Sequence, residues 1–408
     1  MRAILCRMRV APIALLAVLA PLGACGGSGS SIASCSPAAS FPPGVERGPA
    51  VSSPSSSGAT IVWTSSQPVV GAVEFGPSAA YGSTTVDASA RTEHALAIGG
   101  FAPGATIHYR LRHDGVAIGG DLTFRTWVAP GSAAAWRFAV VGDSGTGCAA
   151  EFAVLDRIAA MDADFVLHTG DVAYTEGSPE QVRAAFTIPF ASILAATPVF
   201  LAFGNHDVET AGGAPLADAV VLPTNDEEHT ERYYAFDVGN AHVVVLDSNA
   251  AFTIGSPQRT WLARDLASPA ATAATWRFVA FHHPAYSSSS HGSTAAVDAE
   301  LVPIFDARRV DLVFNGHDHD YERTHPMRGG APTSLGGGPA YLDPAGTIYV
   351  VTGGGGQTLY PAGTSAFTAR SASALHAVRV DVADRSLSVV AIDVDGAPLD
   401  AFTVTKSP

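Results

Sequence analysis

Five short blocks between residues 142 and 323 constrain this chain more than any other feature. They read Gly142-Asp143-Ser144-Gly145, Gly170-Asp171-Val172-Ala173-Tyr174, Gly204-Asn205-His206-Asp207, Val279-Ala280-Phe281-His282 and Gly316-His317-Asp318-His319-Asp320-Tyr321-Glu322-Arg323. Each sets a carboxylate, amide, phenol or imidazole directly after a short apolar run. Strands of an α/β sheet end in this way, and such sheets bind their ligands in the loops at the carboxyl edge. Together the blocks offer seven donors: Asp143, Asp171, Tyr174, Asn205, His282, His317 and His319. That is enough for two metal ions sharing one carboxylate, and Asp171 lies between the other first-half donors in order. One Gly-Asp or one His-x-His is commonplace; five blocks in this order make coincidence improbable.

The pattern around the blocks agrees. From Trp136 onward, apolar runs of strand length alternate with helix-like stretches, of which Ala149–Met161, Pro179–Leu194, Pro257–Leu266 and Ala295–Arg308 are the best. Such alternation predicts an α/β layered domain, here 135–408. Strand-like runs return after Thr347 without a clear intervening helix, and are expected to complete the domain's second sheet. Residues 58–128 differ, with short β-like runs each closed by Ser, Pro or Gly, and predict a small all-β sandwich. Residues 25–57, rich in Ser, Gly and Pro, read as a tether.

With 408 residues the chain has room for more than one core. Its net charge of −14, falling to −17 without Arg2, Arg7 and Arg9, argues against an electrostatic grip on nucleic acid. A small phosphorylated substrate stays compatible, because bound cations would set the local field. Those three arginines precede an apolar segment, Ala11 to Leu19, too short to span a bilayer, so 1–24 is expected to be an export signal, with Met1 or Met8 as its start. Leu22-Gly23-Ala24-Cys25 resembles the lipobox of bacterial lipoproteins. That likeness implies a lipid on Cys25 and a periplasmic or cell-surface location, with the outer membrane favoured by Gly26; ordinary signal cleavage is the alternative. Cys35 and Cys148 either bridge or remain thiols.

The five blocks resemble the metallophosphoesterase (calcineurin-like) superfamily, and within it the purple acid phosphatase branch. Gly145 stands where the wider superfamily has a histidine, and Tyr174 where it has an aspartate; the closing Gly-His-x-His-x-Tyr-Glu-Arg is that branch's form. With an N-terminal fibronectin type III-like domain in front, the resemblance covers roughly residues 58 to 404. It implies a four-layer domain with two mixed β-sheets flanked by helices. It also implies hydrolysis of phosphate monoesters at a binuclear iron(III)–divalent centre. Asp143, Asp171, Tyr174 and His319 would hold iron(III); Asp171, Asn205, His282 and His317 would hold zinc, manganese or iron(II). His206 would bind phosphate or orient substrate, and His291 would be the acid for the leaving alcohol. A mobile-loop histidine is the plainer reading of His291, because the run Ser287 to Ser290 before it is low-complexity.

Other residues take quieter expectations. His283 cannot ligate the same centre as His282 from regular strand geometry. His168 packs; Asp207 orients an imidazole; Glu322 and Arg323 pair with each other. Gly353–Gly356 makes a tight turn near the site, and Trp63, Trp127 and Trp136 anchor cores. A phosphodiesterase or nucleotide-processing hydrolase with the same centre is the rival activity, and a non-catalytic surface binding protein the rival class.

Overall fold

The computed structural model describes residues 41–335 and 339–408. The expected leader, Cys25, Cys35 and the first part of the tether lie outside these residues, as does any bridge from Cys35 to Cys148.

The N-terminal region is all β. Val45–Ser52, Gly58–Val69 and Arg91–Gly99 make one antiparallel sheet, and Ser83–Val86, Gly71–Gly76, Thr106–His113 and Val116–Arg125 make a second. Val45–Ser52 corrects the expected tether. Its composition looks linker-like, yet Val45 and Val51 are buried with Ile61, Trp63 and Tyr109 in the sandwich core. The Tyr109 hydroxyl donates to the Ala195 carbonyl at 2.6 Å, tying this region to the one that follows.

From Trp136 two seven-stranded mixed sheets pack face to face. The first runs in the order Val199–Leu201, Phe165–His168, Trp136–Val141, His376–Ala383, Ser386–Asp393, Pro398–Thr405, Ala340–Leu342. The second runs Tyr234–Val238, Ala241–Val245, Trp276–Ala280, Leu312–Asn315, Ile348–Thr352, Tyr321–Thr324, Thr368–Ala372. Phe138 of the first sheet meets Phe278 and Phe314 of the second at 5.4 and 5.9 Å between rings. Ala149–Ala160 buries Val154, Leu155 and Ile158 on the outside of the first sheet, while Pro257–Asp265 and Val302–Arg308 cover the second. Trp127 and Trp136 both pack on Phe165, as core anchors should.

Two expectations about elements need correction. Of the late strands, Ile348–Thr352 joins the second sheet next to Leu312–Asn315 and Thr368–Ala372 closes its far edge, while the last three extend the first. The turn at Gly353–Gly356 touches the first sheet, where the Gly355 amide donates to the Gly142 carbonyl at 2.9 Å, but the chain crosses to that sheet only after Thr368–Ala372. The stretch Pro179–Leu194 is not one helix but Pro179–Val182, a wider turn over Arg183–Thr187, and Ala191–Leu194. Pro189 explains the break, having no amide to donate. Pro303 likewise accompanies the division of Ala295–Arg308 into Ala295–Glu300 and Val302–Arg308.

Candidate metal centre

The carboxyl ends of the parallel strands of both sheets meet at one place. Asp143, Asp171 and Asn205 follow three strands of the first sheet; His282, His317 and His319 follow two of the second. Asp143, Asp171 and His317 all adopt positive φ (57°, 57° and 74°), a conformation that costs a non-glycine residue energy and clusters at working sites. The glycines that open the donor loops are there because the loops nearly touch. A Cβ on Gly204 would stand 2.0 Å from the Asp171 carboxylate, and one on Gly316 would stand 2.3 Å from that of Asp143.

The donor atoms fall into two sets that share Asp171. In one, Asp171 Oδ2 lies 3.3 Å from His282 Nε2, and Asn205 Oδ1 lies 3.1 Å from His282 Nε2 and 3.0 Å from His317 Nδ1. In the other, the Tyr174 hydroxyl lies 3.1 Å from Asp143 Oδ1 and 3.3 Å from His319 Nε2. Asp171 also faces that hydroxyl. One donor atom each from Asp143, Asp171 and His282 lies within 4.8 Å of the others.

This donor set fits metal ions. Ligands about 2.0–2.2 Å from one ion stand roughly 3 Å apart, which is the spacing seen in both sets. Asp143 and Asp171 are 0 % and 1 % exposed, and no Lys or Arg pairs with either among the described residues. Burial and the Asp171 charge beside it raise the Asp143 carboxyl well above the usual range. Two such carboxylates in one dry pocket call for a cation. Burial pushes His317 down to about 2 and His319 to about 4, so both present the neutral imidazole that ligation requires. Carbonyls fix two of the rings: His282 Nδ1 lies 3.0 Å from the Thr169 oxygen and His319 Nδ1 2.8 Å from that of Thr358, leaving Nε2 of each inward.

The remaining candidates border this centre. His206 packs on Tyr174 at 4.6 Å between rings, and its amide donates to Asp171 Oδ1 at 2.9 Å. His291 stacks on His317 at 4.2 Å. His283 turns to the Ser248 hydroxyl, and His168 packs between Ser144 and the Gly170 amide. Asp207 corrects an expectation: it orients no imidazole but accepts four backbone amides, from Gly204, Asp171, Val172 and Ala173. Glu322 and Arg323 are not each other's partners. Adjacent strand residues face opposite ways, so Arg323 pairs with Asp400 while Glu322 accepts from Ser288 and Thr368. Sequence reasoning passed over Tyr360, whose ring stacks on His319 at 4.2 Å, and nothing local in the sequence marks it.

Residues 137–321, which include every donor named above, match the model of the calcineurin-like phosphoesterase family. The chain carries a calcineurin-like phosphoesterase domain. Its relatives include purple acid phosphatase 21 of Arabidopsis thaliana, 28 % identical over 286 residues, covering 65 % of this chain and 58 % of the relative. Purple acid phosphatase 15 of the same plant is 29 % identical over 298 residues, covering 65 % and 53 %. The chain thus spans less than two thirds of the length of these relatives. Among solved structures, the purple acid phosphatase from yellow lupin (Lupinus luteus) seeds superposes with a TM-score of 0.77 at 21 % identity, over 88 % of this chain and 74 % of that one. PhoD superposes with a TM-score of 0.63 at 14 % identity, over 87 % and 88 %. These likenesses establish the fold, including the β region before the phosphoesterase domain.

Proposed function

We propose that this protein hydrolyses phosphate monoesters at a centre of iron(III) and a divalent ion (zinc, manganese or iron(II)). The observation that carries the reading is the division of seven donors into two sets around Asp171. Asp143, Tyr174 and His319 with Asp171 would hold the iron; Asn205, His282 and His317 with Asp171 would hold the divalent ion. Bound there, the ions would supply Lewis acidity toward the phosphoryl oxygens and an activated water for in-line attack.

The chain's own groups do the rest. Tyr174 favours the harder, trivalent ion, since a phenolate is a hard oxygen donor and its hydroxyl lies 3.1 Å from Asp143 Oδ1 and 3.3 Å from His319 Nε2. His206, partly exposed beside Tyr174, is placed to take a phosphoryl oxygen; His291, exposed over His317, is placed to protonate the departing alkoxide. We further assign the chain to the exported side of a membrane, held by a lipid on Cys25, where small phosphorylated compounds are its substrates. Mass spectrometry of the mature N-terminus tests that anchor.

The activity test is direct. Protein loaded with iron and zinc should release phosphate from 4-nitrophenyl phosphate much faster than it opens bis(4-nitrophenyl) phosphate, and Asn205→Ala should abolish the first reaction. Full monoester activity in Asn205→Ala would remove the centre from the mechanism, and a preference for the diester would replace the phosphatase with a phosphodiesterase.

A further inference from the structure

Building on the phosphatase reading, we propose that Asp318 is the positioning residue for His291, clasping the serine-rich loop that carries it. The residue stands between two of the donors in the last block, yet contributes nothing to either donor set. Its carboxylate is fully buried and turns instead toward residues 287–292. Oδ1 accepts the His291 amide at 2.7 Å; Oδ2 accepts the Gly292 amide at 3.1 Å and the Ser287 hydroxyl. One carboxylate therefore ties both ends of a six-residue loop. No Lys or Arg neutralises it among the described residues, so these three donors are what its buried charge rests on.

A second acid, on the strand Tyr321–Thr324 just after Asp318, holds the middle of the loop. Glu322 accepts the Ser288 amide at 2.6 Å and the Ser288 hydroxyl at 2.8 Å. Ser289 reaches outward to the Pro361 carbonyl at 3.0 Å. A run of four serines, which composition alone marks as mobile, is in this way fixed against the strand that follows the metal donors. The consequence is a defined place for His291, whose ring lies over His317 at 4.2 Å and 28° between planes. Because the tie is to its backbone amide, the imidazole stays free to give up its proton. Misplacing a proton donor by about an ångström costs on the order of a hundredfold in rate.

The test compares Asp318→Ala, Asp318→Asn, His291→Ala and the double variant Asp318→Ala/His291→Ala in metal-loaded protein. Two esters serve: 4-nitrophenyl phosphate, whose leaving group needs little protonation, and an alkyl phosphate, whose leaving group needs it. Asp318→Ala should lose about tenfold to a hundredfold in kcat on the alkyl ester and little on the aryl ester, and His291→Ala should show the same pattern. Asp318→Asn, which keeps the shape and one acceptor, should fall between wild type and Asp318→Ala. The double variant should be no slower than His291→Ala. Metal content should stay at the wild-type value, and hydrogen exchange at the His291 and Gly292 amides should quicken. Equal losses on both esters, multiplying losses in the double variant, or metal loss would overturn the assignment, because Asp318 would then act on the metal donors. A wild type inert toward both esters would instead strike the phosphatase reading itself, and unchanged exchange in Asp318→Ala would separately remove the clasp.

Discussion

Asp207 accepts the backbone amide of Asp171 through Oδ2 at 2.8 Å, and the same carboxylate takes the amides of Gly204, Val172 and Ala173. One buried side chain thus gathers the loops after two neighbouring strands and fixes the carboxylate common to both donor sets. Four donated hydrogen bonds stabilise its charge, while burial and the Asp171 charge oppose it. Orientation of a ligand by a buried acceptor of this kind is worth tenfold to a hundredfold in metal affinity, as an order of magnitude.

Asp207→Ala should therefore bind metal about tenfold to a hundredfold more weakly while leaving all seven donors in the sequence. Dialysis against graded chelator, followed by elemental analysis, measures this. Retention equal to wild type would mean that the loop holds Asp171 without help.

On the proposed reading, Tyr174 sets which metal binds rather than which reaction follows. Iron-loaded protein should be coloured through charge transfer from the phenolate, and Tyr174→Phe should lose the band while keeping a divalent ion on the Asn205 side. Visible absorption alongside elemental analysis reads both. A colourless, fully active protein with two divalent ions would leave the fold and the donor geometry standing and remove the iron.

Gly204 tests the close approach of the loops. Its Cβ would stand 2.0 Å from the Asp171 Oδ1 and 2.3 Å from the Asp171 amide, neither of which can withdraw without giving up a position in the centre. Gly204→Ala should fold, because the sheets' buried core lies elsewhere, but should lose metal and with it activity. Circular dichroism and metal content measured together separate this from global unfolding.

Much of this was legible in the sequence, and the failures have physical causes. Chemistry that depends on residue type after an apolar run, as at Asp143 or His282, can be read locally. Partnerships made across the fold cannot. Arg323 finds Asp400, 77 residues away, and Glu322 finds Ser288, because neighbours on a strand point to opposite sides. Val45–Ser52 was hidden for another reason: its burial depends on strands that come later, and its Gly, Pro and Ser content resembles a linker. Helix breaks at Pro189 and Pro303 were visible in principle, since proline cannot donate an amide, but apolar periodicity ran through them.

His242 predicts how the stability of the second sheet depends on pH. It is 3 % exposed and sits between Asp237 and Asp265, 2.8 Å from each. Burial opposes a charge on the ring, but the two carboxylates prevail and raise it from 6.5 to about 9. A histidine whose folded value is raised stabilises the fold fully below its unfolded value, and that stabilisation fades as pH climbs through the folded value. At about 1.4 kcal/mol per pH unit, the charged ring contributes on the order of 3 kcal/mol near pH 6, most of it gone by about pH 10. Urea unfolding of wild type and His242→Asn at several pH values measures the difference. The gap between the two should be widest at or below about pH 6.5 and should narrow steadily between about pH 7 and pH 10. A constant gap across that window would mean that the ring is neutral throughout, and that the two carboxylates hold it by ordinary hydrogen bonds alone.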